Sequence, residues 1–222
     1  MKKKKKVLLI IGMVVLTLVL VITIPFSILL IRSSALQKDY LYLKDDETYS
    51  AKVEINNLEL VEQHISCGYA TIEMISSYYG NRISEDDLSN KNKGAISTSS
   101  SAGFLKEINN SIPNRKFIKR SYLANDALLK EIHASLALTN PVAIEWAAQY
   151  ENEWTLHFSV VNGLDIANDN VAIYNPYGYI ENISLDEFIS RTSFKAYKNM
   201  PFFLSFGFAF GAFEKNTIFF AQ

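Results

Sequence analysis

Gln63-His64-Ile65-Ser66-Cys67-Gly68-Tyr69-Ala70 holds the only cysteine of the chain and opens a run to Tyr79 that reads as a helix. Ala70, Met74 and Tyr78 recur every four residues, as do Ile75 and Tyr79, and Gly80 is a stop signal. The thiol therefore sits at a helix N-terminus, where free N–H groups and aligned peptide dipoles favour negative charge. Such a position lowers a cysteine pKa and a neighbouring imidazolium lowers it further, so a Cys67 thiolate near neutral pH is expected.

Outward from this helix the pattern has two halves. Ser84 followed by Asp86 and Asp87 predicts the N-cap and acidic first turn of a short helix. Ser97 to Ser101 is a loop leading to a helix over 102–109. Asn125 or Asp126 caps a further one over 127–138, with Leu128, Leu129, Ile132 and Leu136 on its apolar face and Asn140-Pro141 ending it. Strands follow over 142–146, 154–161, 171–174 and 217–220, with a polar turn at 165–170. The aromatic stretch 202–213 reads as one or two buried strands, or as a surface facing the membrane or a hydrophobic substrate. Helices first and strands after predict an α+β domain, a helical part packed on an antiparallel sheet.

Two residues from the strand half complete a chemical set with Cys67. His157 lies in Leu156-His157-Phe158-Ser159-Val160-Val161-Asn162-Gly163, and Asn175 in Tyr174-Asn175-Pro176, on the two arms of one expected hairpin. A thiol attacks, an imidazole removes its proton, and an amide oxygen holds the imidazole in one tautomer. The backbone N–H of Cys67 and the side chain of Gln63 are the candidate oxyanion donors, each such donor being worth about 2.7–4 kcal/mol of barrier. Plainer readings stand beside these. A free cysteine is often a small buried hydrophobe, His157 suits a strand core, Asn175 before Pro176 suits a turn, and Gln63 suits a surface. His64 is a reserve base, His133 reads as structural, and Asp165 competes with Asn175 as the orienting group. Trp146, Trp154 and Tyr177 flank the strands, as cleft lining or as core.

These residues carry a resemblance. Gln63-x-x-x-Cys67-Gly68-x-Ala70 with Met74 and Tyr78-Tyr79-Gly80 resembles the nucleophile motif of the C39-like cysteine peptidases, a papain-related superfamily. His157-Phe158-x-Val160-Val161-x-Gly163-x-Asp165 is similar to its histidine strand, Tyr174-Asn175-Pro176 to its third-residue motif, and Ile83 to Leu88 to the segment after the nucleophile helix. The resemblance covers about Leu60 to Gly178. It implies a papain-like cysteine peptidase fold, with Cys67 as nucleophile, His157 as base, Asn175 as orienter, Gln63 as oxyanion donor and no cofactor. The best-known members carry Asp-Pro where this chain has Asn175-Pro176, and a neutral partner supports an imidazolium less than a carboxylate would. The transporter segments of the bacteriocin-exporting members are absent from this sequence.

The chain has 222 residues and a formal net charge of -1, which argues against nucleic acid as a partner. Val7 to Ile31 is free of charge for about 25 residues, enough to span a bilayer as a helix. Five lysines precede it and Arg32 follows, predicting a cytoplasmic N-terminus and a domain outside. A cleaved signal peptide ending near Ser33-Ser34-Ala35 is the other reading, although its apolar core usually runs only about 7–15 residues. The expected organisation is a basic N-terminus over 1–6, an anchor over 7–31, a stalk over 32–56 and a peptidase domain over 57–222. A peptide or protein is the expected substrate, on a bacterial surface protein held by its N-terminal helix. The rivals are a thiol acyltransferase or cell-wall amidase using the same triad, and a catalytically silent binding or immunity module on a peptidase fold.

Overall fold

The computed structural model of the chain describes residues 2–222. Helix α1 (Lys2–Ala35) runs 34 residues through Pro25. Its segment Lys5–Ala35 is long and apolar enough to cross a membrane.

The rest is built on one antiparallel sheet. Its strands are β1 (Val53–Glu54), β2 (Phe117–Arg120), β3 (Val142–Tyr150), β4 (Glu153–Asp165), β5 (Asn170–Asn175), β6 (Tyr179–Ile183) and β7 (Thr217–Ala221). They lie in the order β2-β7-β3-β4-β5-β6, with β1 added against β4. Helices α2 (Cys67–Tyr78), α3 (Glu85–Lys91), α4 (Ser101–Ser111) and α5 (Asn125–Ala137) come from the first half, and α6 (Leu185–Thr192) and α7 (Phe202–Ala209) from the end. This is the α+β arrangement that the order of patterns predicts, preceded by one N-terminal apolar helix.

Local chemistry explains the elements that place the site. Ser66 caps α2, its side chain accepting from the Tyr69 N–H, and Gly80 ends the turn after it at φ 79°, a conformation free of penalty only without a Cβ. Ser84 and Asp87 form a reciprocal capping box on α3. Tyr69, Ile72, Met74 and Ile75 of α2 are fully buried, each worth about 1.5–3 kcal/mol of transfer free energy, and Phe104 of α4 stacks on Phe158 of β4 with centroids 4.4 Å apart. β3 and β4 form a hairpin closed by Glu151 and Asn152, both at positive φ (47° and 69°), as a tight two-residue turn requires. That turn sets the register in which Trp146 opposes His157.

Several expectations change. α5 has Ala124 at its N-cap with no side-chain bond, because Asp126 is engaged elsewhere, by the Tyr42 hydroxyl at 2.9 Å and Lys38 at 2.8 Å. β2, β6 and α6 were not evident in the sequence. The 202–213 stretch, expected as strands, forms α7: Pro201 precedes the helix and its carbonyl accepts from Leu204 and Ser205. Aromatic β-propensity is a statement about fit to a pleated surface, and this segment packs instead on α1, with Phe206 against Phe26. Residues 32–56, expected as a stalk, lie along the domain. Leu36, Tyr40 and Leu43 are buried there, and Val53 and Glu54 pair with Leu164 and Gly163.

Candidate active site

β5 ends at Asn175 while β4 extends past it toward Glu153. The residues of β4 before Val160 thus have no β5 partner, and His157 lies in that gap. His157 and Asn175 are 1% and 0% exposed, and His157 Nε2 lies 2.9 Å from Asn175 Oδ1.

Neighbours fix the direction of that bond. The Tyr177 backbone N–H, which can only donate, reaches Asn175 Oδ1 at 3.0 Å. Asn175 Nδ2 donates at 2.7 Å to Glu181 Oε1, a carboxylate that can only accept. Asn175 therefore presents oxygen to the imidazole, and His157 carries its proton on Nε2. Nδ1 makes no hydrogen bond among the described residues, and its lone pair is free. Behind this pair Arg191 donates to Glu181 at 2.6 Å, and its guanidinium lies over Trp146 at 5.1 Å. Trp146 donates its Nε1–H to Ser159 Oγ at 3.0 Å. The Tyr177 ring stacks on His157 at 4.2 Å and its hydroxyl meets Thr155 Oγ1 at 2.8 Å, so Tyr177 lines the site.

Cys67, partly buried at the first turn of α2, faces the same gap. The backbone N–H of Phe158, the residue after His157, favours a thiolate at Cys67. The charge of a Cys67 thiolate also contributes to raising the Tyr177 pKa, after burial. Among the described residues no hydrogen bond joins Cys67 Sγ to His157. Burial pushes the thiol up from 9.0 to about 11, against the backbone N–H groups of Phe158, Gly68 and Cys67, which pull it down. Burial likewise pushes His157 down to about 3, opposed by Asn175. Burial therefore favours a thiol and a neutral imidazole, against the thiolate that the helix position alone suggests.

The loop before Cys67 is held from behind. Gln63 donates its backbone N–H to Pro176 O at 2.7 Å, tying it to the turn after Asn175. Its carboxamide oxygen is buried without a partner. Glu85, fully buried at the start of α3, accepts the backbone N–H groups of His64 at 3.0 Å, Ile65 at 2.9 Å and Ser66 at 2.9 Å. Sequence reasoning missed this role, since a Glu after a Ser cap reads as an ordinary first-turn acid. A Cβ on Gly68 would come within 2.5 Å of two Thr98 atoms, so only glycine lets the 98 loop approach α2.

The other candidates fall outside the gap. His64 is exposed and pairs with Glu85 and Asp86, the hydrogen bond to Asp86 being the main cause of its raised pKa. His133 meets Tyr49 edge-on at 5.0 Å. Asp165 accepts from Asn168 within its turn. A large open depression lined by Tyr78, Tyr79, Arg82 and Arg115 lies at the C-terminal end of α2, about 16 Å along the helix from Cys67.

A family model described as "Peptidase_C39 like family" matches residues 55–202. Among solved structures, one titled as a crystal structure of a double glycine motif protease from an AMS/PCAT transporter, in complex with the leader peptide, is similar at 13% identity. It covers 77% of this chain and 98% of its own, with a TM-score of 0.46. No curated protein matches the chain.

Proposed function

The chain belongs to the C39-like peptidase family, and on that premise we propose that it is a cysteine peptidase that hydrolyses peptide amide bonds through Cys67, His157, Asn175 and Gln63. The observation that carries this reading is the His157–Asn175 bond at 2.9 Å, with the Nδ1 lone pair left free on β4, the strand against which α2, the helix that Cys67 opens, packs. In the proposed reaction His157 Nδ1 takes the thiol proton as sulfur attacks the substrate carbonyl. The Cys67 N–H and the Gln63 carboxamide donate to the oxyanion. Nδ1–H then protonates the leaving amine and a thioester remains. Water, losing its proton to His157, attacks the thioester and releases the acid and the free thiol.

The same reading places 57–222 as the catalytic domain, with 7–31 as a single span and the domain outside. Five lysines before the span and Arg32 after it support that orientation.

The family includes catalytically inactive members. A thiol raised to about 11 beside an imidazole lowered to about 3 favours that second reading. The experiment is hydrolysis of a mixed peptide library by the full chain, with acid quench and mass spectrometry. A peptidase yields cleavage products and an acyl adduct on Cys67, both lost in Cys67→Ala. Products that persist in Cys67→Ala, or no products and no adduct, would refute the peptidase.

A further inference from the structure

Helix α7 carries Phe202, Phe203, Phe206 and Phe208 without a charged residue. Phe208 is buried against Phe194 at 4.6 Å. Phe202, Phe203 and Phe210 are 73%, 71% and 51% exposed. Isolated exposed apolar side chains need no explanation, but three phenylalanines in one patch do. The ring of Phe206, between Phe202 at 5.2 Å and Phe210 at 5.0 Å, packs edge-on against Phe26 of α1 at 5.8 Å. Leu29 of α1 joins the cluster around Phe208.

That contact fixes a depth. The uncharged run of α1 ends at Ile31, and Phe26 lies five residues inside it, about 7.5 Å at the helical rise. Helices that lie in a membrane interface bury their apolar face by about 5–10 Å. Lys195 and Lys198 before α7 are exposed, where cations meet headgroups.

From this contact we propose that α7 is an interfacial membrane helix: Phe202, Phe203 and Phe210 insert into the bilayer beside α1, giving the domain a second attachment and a fixed tilt. The proposal rests on α1 spanning the membrane. Leu156 of β4 packs in the same cluster as Phe208, and His157, the next residue, points to the other face of the sheet.

The test uses the full chain in phosphatidylcholine–phosphatidylglycerol vesicles. In a Cys67→Ser background, spin labels are placed singly by Phe203→Cys, Phe202→Cys, Leu16→Cys and Leu138→Cys. Leu138 is 72% exposed and serves as the aqueous reference. Accessibility is read with oxygen and with a water-soluble nickel chelate. Labels at 202, 203 and 16 are expected to favour oxygen over nickel several-fold relative to 138. A label at 16 in the acyl core with labels at 202 and 203 as nickel-accessible as 138 overturns the proposal alone. A label at 16 open to nickel overturns the anchor and the proposal with it. Labels at 202 and 203 shielded from both reagents show a protein cover, a second copy or a partner, and overturn the lipid assignment.

Discussion

Asn175 donates its Nδ2 to Glu181 at 2.7 Å, and this bond decides which end of the carboxamide His157 meets. Replacing the acceptor by an apolar group leaves Nδ2 without its partner and only the Tyr177 N–H to hold the oxygen toward the imidazole, so the orientation that keeps the proton on Nε2 is weakened. Glu181→Leu is therefore expected to lower kcat on a cleaved peptide by about 100-fold, the lower end of what a positioned base contributes, with KM little changed. Glu181→Gln, which can still accept through its oxygen, should restore most of the rate. Equal loss in both variants would mean that Glu181 acts only through the charge of Arg191.

Burial favours a thiol at Cys67 and a neutral His157, and thiol alkylation tests this directly. In the free protein the iodoacetamide rate at Cys67 should climb steadily from pH 6 toward about 11, the value to which burial pushes the thiol. His157→Ala should leave the pH 6 rate unchanged, because the imidazole there is uncharged. A plateau of fast labelling between pH 5 and 8 that His157→Ala abolishes would instead establish an ion pair.

Glu145 on β3 is fully buried, its Oε1 has no partner and Ser101 donates to its Oε2. Burial pushes its carboxyl up from 4.5 to about 8. Between those values the native state holds a proton that the unfolded chain has lost. The stability that Glu145 contributes is thus complete below pH 4.5 and falls as pH rises to about 8. Glu145→Gln should stabilise the chain by a few kcal/mol more at pH 8 than at pH 4.5, roughly 1.4 kcal/mol per pH unit crossed. Urea unfolding at the two values checks this, and an effect independent of pH would refute a protonated Glu145.

Glu85 accepts three successive backbone N–H groups ahead of Cys67. Glu85→Gln replaces one acceptor oxygen by a donor and strands at least one of them, at about 1–3 kcal/mol. Amide hydrogen exchange at His64, Ile65 and Ser66 is expected to speed up well beyond that of the α5 amides. Uniform acceleration across the domain would show global destabilisation and not a local role.

The elements that carry the chemistry were the legible ones. α2 declared itself by its four-residue apolar recurrence and its Gly80 stop, and β3, β4 and β5 by short apolar runs between turn residues. β2 and β6 were not legible, because each is short and lies at an end of a strand order that the sequence does not reveal. α7 read as strand because a run of phenylalanine has no helical periodicity to detect; its partner is α1, more than 170 positions earlier in the chain. Of the site, the residue types and their order were visible, whereas Glu85, Glu181 and Tyr177 were ordinary residues until the fold brought them to the loop, the amide and the ring they touch.

Sequence by itself determined the α+β order of elements, the apolar N-terminal helix, and a thiol at a helix start with a histidine and an asparagine on paired strands. These follow from local periodicity, capping and turn chemistry. Tertiary structure alone decided the His157 tautomer, the burial that disfavours charge on Cys67 and His157, and the contact of α7 with α1. Each depends on which distant groups exclude water from a site, and desolvation is a property of packed neighbours that no stretch of chain carries alone.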